Sequence, residues 1–153
     1  MTTVKTKKYL NALLEKTYDA QRGYSNAAEV TNHVQLKRWL AQQGVRRTEF
    51  AAVLTGEMKR MNKTPELDGS FTGDMHRGWM NIKVALSLHK DESILEECLT
   101  GEKYAFQEYG KVLENKDELP PSVVSILQSQ KDEIQSTVNE IMSLEDVAHK
   151  QHL

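Results

Sequence analysis

The chain has 153 residues, 39% hydrophobic, 27% charged and 7% aromatic, and its 20 Lys plus Arg against 22 Asp plus Glu leave a net charge of −2. That length suits one domain able to bury about two thirds of its unfolded surface without a disulfide or structural metal, and the lone Cys98 excludes a cystine framework and favours a reducing cytoplasm. The balanced charge gives no footprint for nucleic acid or an anionic membrane, no run resembles an export signal or membrane span, and no nucleophile elbow, phosphate loop, dinucleotide fingerprint or Cys-pair zinc pattern is present.

From Val4 to Val30, Leu10, Leu13, Leu14, Thr17, Tyr24 and Ala28 recur at steps of three and four, which predicts an amphipathic helix. Leu36, Trp39, Leu40, Phe50, Val53, Leu54, Met58 and Met61 repeat the pattern over 34–61. The Asn32-His33 break is short enough to force an antiparallel hairpin. Residues 62–72, with Pro65, Asp68 and Gly69, carry no period and read as a loop. Met75, Trp79, Ile82, Lys83 and Leu86 predict a short helix over 73–88, closed by His89-Lys90. Asp91 is the expected cap of a third long helix over 91–115, with Ile94, Leu95, Cys98, Glu102, Ala105, Phe106, Tyr109 and Leu113 inward. A polar turn at 115–118 and Pro120-Pro121 then preset the last helix, 121–147, lined by Val123, Leu127, Ile134, Val138, Ile141 and Leu144, with HKQHL as a fraying tail. Strand signals are absent.

This is an all-α pattern over one domain, 1–153: a four-helix bundle. The long connection between the second and third long helices favours ferritin-like connectivity, in which a crossover carrying the short helix runs along the bundle. The alternative is a short fifth helix packed across one end.

Each stripe is interrupted by polar residues where core is expected: Gln21 on the first helix, Gln43 and one of Arg46 or Arg47 on the second, Glu102 on the third, Gln130 and Thr137 on the fourth. Crossover connectivity sets Gln21, Gln43, Arg46 or Arg47, Glu102 and Thr137 near one level, a polar layer in an apolar interior. Di-iron proteins of the ferritin-like fold place carboxylates and two Glu-x-x-His pairs at such a level, because two ions need about six converging ligands. No Glu-x-x-His occurs here. Glu102 paired with Arg46 or Arg47, with Gln21, Gln43 and Thr137 completing the hydrogen bonds, satisfies the layer without a metal. The competing reading recruits Asp19, Glu49, Glu102 and Glu133 as iron or manganese ligands.

The stretch His76-Arg77-Gly78-Trp79, running on through Met80 to Leu86, resembles a bacterial ferritin-like four-helix-bundle family of unknown function, known for His-Arg-Gly-Trp at this position. Leu10-Asn11, Asp19 to Tyr24, Phe50-Ala51-Ala52-x-Leu54, Glu97-Cys98 and Gly101-Glu102 also fit. The resemblance implies the fold, a bacterial cytoplasmic setting and an association with stress, but no known reaction. Members typically carry an acidic residue where this chain has Gln21 and a His near Thr137, so the resemblance does not bring a metal site with it.

His76, Arg77 and Trp79 are read as an anchor of the crossover, with a ligand or partner site as the competing role. Cys98 on the inward stripe reads as an inert thiol, and Met58, Met61, Met75 and Met80 as gap-fillers or an adaptable patch beside the crossover. The favoured function is a non-catalytic structural or interaction protein without a cofactor, a homo-oligomer and in the first instance a dimer pairing one helix face. A degenerate iron or manganese enzyme and a small-ligand carrier are the alternatives.

Overall fold

The computed structural model describes residues 3–66, Trp79, 82–88 and 90–151. Among these residues there are five α-helices and no strand: α1 Thr3–Val30, α2 Val34–Arg60, α3 Ile82–Leu88, α4 Asp91–Leu113 and α5 Pro121–Gln151, with a 3-10 turn at Lys116–Glu118 before the last. The spacing located the four long helices closely. Of the 73–88 helix, only 82–88 and Trp79 fall within the described residues, and His76, Arg77, Met75 and Met80 lie outside them. The tail expected to fray is instead helical as far as Gln151, since nothing in HKQHL breaks the preceding turns.

The helix ends account for their own polar groups. His33 caps α2 by accepting, through Nδ1, the Leu36 amide at 3.1 Å. α2 stops because Asn62 turns left-handed, with φ 57°, which Asn tolerates better than most residues. The Asn62 amide then reaches the Lys59 carbonyl and the Lys63 amide that of Met58, both at 2.9 Å, closing the last turn. Asp91 does not cap α4 as the sequence suggested. It is the first helical residue, Lys90 holds the cap position, and the Asp91 carboxylate accepts the Thr31 hydroxyl at 2.7 Å.

Two contacts fix the chain's path. At one end, Asn11 and the backbone of Glu66 exchange a pair of hydrogen bonds, 2.8 Å from the Asn11 amide to the carbonyl and 2.7 Å from the Glu66 amide back to Asn11 Oδ1. At the other, Thr31 holds Asp91. The chain thus leaves α2 beside the start of α1 and re-enters α4 beside the end of α1. α1 packs along α2, and α4 along α5; α1 also meets α4, and α2 meets α5, while α3 lies on α4 and α1. α2 and α4 therefore face each other across the diagonal. No helix among the described residues is long and apolar enough to cross a membrane.

Trp79 shows why two glycines sit inside long helices. A helix-interior Gly costs about 1 kcal/mol against Ala, so its presence asks for a close neighbour. Trp79 is 8% exposed and lies against both Gly23 of α1 and Gly101 of α4. A Cβ at Gly23 would come 2.5 Å from the indole Cε3, and one at Gly101 would overlap the ring. Tyr24 meets the same indole edge-on at 5.3 Å between centroids. Trp79→Ala should cost about 3 kcal/mol or more and Gly101→Ala about 1 to 3 kcal/mol in urea denaturation. Once Trp79 is Ala, the Gly101→Ala change should be nearly free; additive costs would place the indole elsewhere.

Candidate functional site

The apolar interior is in two parts. One, around Leu13, Leu14, Phe50, Leu54, Val112, Leu127 and Ile134, lies toward the start of α1; the other, around Tyr24, Leu40, Trp79, Leu95, Cys98 and Ile141, lies toward its end. Between them, at one level, sit Thr17, Gln43, Arg47, Glu102 and Thr137, each 4% exposed or less.

Arg47 and Glu102 form the centre. The Arg47 Nη2 donates to Glu102 Oε2 and, at 3.2 Å, to the Thr137 hydroxyl. Thr137 in turn has two acceptors in reach, the Glu133 carbonyl at 3.1 Å and Gln43 Oε1 at 3.4 Å. The guanidinium carbon lies 4.5 Å from the Phe50 ring centroid, so an apolar face covers what the carboxylate does not. Two turns along α4 and α5, Tyr109 donates to Gln130 Oε1 at 2.6 Å, and Gln130 Nε2 donates to the Phe50 carbonyl at 3.4 Å. Arg47 Nε and Nη1, Glu102 Oε1 and Gln43 Nε2 have no hydrogen-bond partner among the described residues. Beside the ion pair is a cavity of about 10 Å³, lined among others by Thr17, Arg47, Glu102 and Tyr109. That is room for about one water molecule.

Of the residues the sequence singled out, Gln43, Arg47, Glu102 and Thr137 come together. Arg46 does not: it is turned by about 100° from its neighbour and is exposed. Arg47 stands seven residues from both Leu40 and Leu54, so the core phase selects it. Gln21 is half-buried and makes none of the layer's hydrogen bonds. The alternative ligand set does not converge. Asp19 is buried but accepts from Arg22 Nη2 at 2.8 Å, while Glu49 and Glu133 are exposed. Trp79 is an anchor in the slot above. Gln130 stands out in the sequence as an interruption of its stripe, but its partners do not, since Tyr109 and Phe50 each fit an ordinary apolar stripe. Nor was Asn11, whose partner is a backbone far along the chain.

The electrostatics follow from burial around one ion pair. Burial alone would lower the Arg47 guanidinium's pKa, but the charge of Glu102, with the Tyr24 side chain behind it, more than reverses this and holds it above its ordinary value. The Tyr24 phenol is pushed well up, first by burial and then by the Glu102 charge. Cys98 is raised well above its ordinary value for the same two reasons, so its thiol stays protonated and unreactive. Tyr109 is raised too, chiefly by burial.

Such a pair is asymmetric in its energetics. Desolvating both charges roughly cancels their attraction, so replacing both with apolar residues is nearly neutral, whereas removing one strands the other. Glu102→Ala should cost about 3 to 5 kcal/mol, and Arg47→Met with Glu102→Leu much less, read as urea midpoints. An unchanged midpoint for Glu102→Ala would sink the ion-pair account. A second expectation concerns pH. The unfolded chain gives up the Cys98 proton near pH 8.5 and the Tyr24 and Tyr109 protons near pH 10, while the folded chain retains these three. Stability should therefore be full below about pH 8.5 and decline as pH rises beyond it, more gently in Tyr24→Phe.

Against known proteins, the model of a domain of unknown function, DUF2383, matches residues 5–115, from the first turns of α1 through α4. No curated protein matches the chain. The match takes in three of the helices that build the polar layer, with Gln43, Arg47 and Glu102, and spans most of the sequence: the chain belongs to the DUF2383 family of unknown function.

Proposed function

We propose that this chain is a ferritin-like four-helix bundle whose centre is closed by an ion pair, and that it acts as a non-catalytic interaction module. The fold part rests on the path: neighbouring long helices run antiparallel, and the one long connection starts and finishes at opposite ends, as in bundles with a single crossover. The observation that carries the functional part is that the Glu102 carboxylate is committed to Arg47 beside a water-sized cavity of about 10 Å³. Neither an organic substrate nor a pair of metal ions fits there.

The donor chemistry supports the same reading. A di-iron or di-manganese centre needs about six converging hard or borderline ligands. The described residues contain no group of three or more His, Cys, Asp and Glu side chains placed to hold a metal ion. Arg47, a fixed cation in the middle of the layer, would repel one. A larger hollow of about 690 Å³ lies along the first half of α5 beside the end of α4, lined by Leu113, Val124 and polar side chains such as Gln128 and Asp132. It is an open, shallow depression rather than a cleft that would enclose a carried ligand. The setting that goes with this reading is the one the resemblance implies, a bacterial cytoplasm and a stress-associated protein.

Protein purified from cells supplemented with iron and manganese should carry far less than one ion per chain, before and after chelation. About two tightly held ions per chain, with oxygen consumed on adding Fe(II), would restore the enzyme reading.

A further inference from the structure

The outward faces of the long helices are not alike. α4 turns Glu96, Lys103 and Gln107 to solvent, and the outward side of α5 is mostly Ser, Gln, Asn and acidic residues, with Met142 and Val147 exposed five residues apart and so on different sides of the helix. α2 instead exposes Val34 at 61% and Val45 at 59%, with Ala41 and Ala52 exposed in the same stripe. Valine forms helix less readily than the charged residues it displaces, because its branched side chain loses rotamers there. Two valines aligned on one stripe with two exposed alanines leave a continuous apolar line that a packed partner would cover.

The stripe is complementary to itself. Val34 and Ala41 are seven residues apart, as are Val45 and Ala52, and all four fall within about 40° around the helix. Turning the helix end for end about a point beside residue 43 lays Val34 on Ala52 and Val45 on Ala41, so each larger side chain meets a smaller one and two backbones can approach closely. The same rotation brings Arg38 within one residue of Glu49. Both are exposed and neither forms an ion pair among the described residues, whereas the neighbouring Lys37 already donates to the Ala28 carbonyl.

We propose that α2 is the seam of a two-fold symmetric homodimer: a second copy of this chain docks antiparallel on it, valine against alanine, with Arg38 of each copy beside Glu49 of the other. This rests on the interaction-module reading and names its partner. The stripe from Val34 to Ala52 is about 27 Å long at about 1.5 Å per residue, so the contact is small as interfaces go and a micromolar dimer is expected.

Sedimentation velocity of the full chain between about 1 and 200 µM tests it. The expected result is a monomer–dimer equilibrium that Val45→Glu abolishes while helical content is unchanged, since Val45 touches no core. Glu49→Arg should weaken the dimer about tenfold, and Glu49→Arg combined with Arg38→Glu should restore it, because the swapped charges attract again. A monomer at every concentration, or a dimer indifferent to Val45→Glu, overturns the proposal. Either result leaves the interaction-module reading standing, because that reading falls only to bound metal and Fe(II) oxidation.

Discussion

An arginine and a glutamate meeting across the diagonal of four helices is the constraint from which the rest of this structure follows. Helices on a diagonal are too far apart for short side chains to touch, so only a long donor and a long acceptor bridge the gap. Arg47 serves Glu102 and Thr137 together from one nitrogen, Nη2, while its planar face rests on Phe50; a lysine would offer a more strongly hydrated point charge and no such face. Taking both charges from water costs several kcal/mol each, and the attraction returns this only when the geometry is held tightly. Everything adjacent to the pair serves that end. Gln43 and Thr137 supply neutral dipoles, and apolar clusters above and below keep bulk water out.

The elements that hold the helices in place act at the periphery. The reciprocal bonds between Asn11 and Glu66 tie the chain leaving α2 to the start of α1, and Thr31 ties its return at Asp91 to the end of α1. Between these two points Trp79 enters the seam of α1 and α4, where Gly23 and Gly101 remove the side chains that would block it. Gly101 immediately precedes Glu102. The residue that admits the indole thus fixes the backbone from which the central carboxylate projects.

Much of this was legible in the sequence because helical period is a local property. Leu10, Leu13 and Leu14 or Ile94, Leu95 and Cys98 declare their helices without any knowledge of partners. The polar layer was legible for a related reason: Gln43, Glu102 and Thr137 interrupt otherwise apolar stripes. Choosing Arg47 over Arg46 needed only the phase set by Leu40 and Leu54. Gln21 is set apart because its position on the rim of the stripe leaves it half-buried. What was not legible depends on pairs distant in the chain. Nothing near Gly23 or Gly101 names Trp79 as their common neighbour, nothing near Asn11 points to the backbone of Glu66, and Asp91 looks like a cap until Thr31 is seen to claim its carboxylate.

The diagonal ion pair also bears on how the chain reaches its native state. α1 with α2, and α4 with α5, are hairpins of short connection that can assemble quickly from nearby segments, whereas docking one hairpin on the other must first close the long intervening loop. Until the hairpins meet in the correct alignment, Arg47 and Glu102 keep their hydration, and any slipped encounter would have to strip that water from two charges that do not then find each other. A helical shift of one turn, which purely apolar faces would tolerate at small cost, is thereby made expensive. The pair thus bears on alignment more than on stability: it adds little to the depth of the native minimum and penalises arrangements that bury one charge without the other.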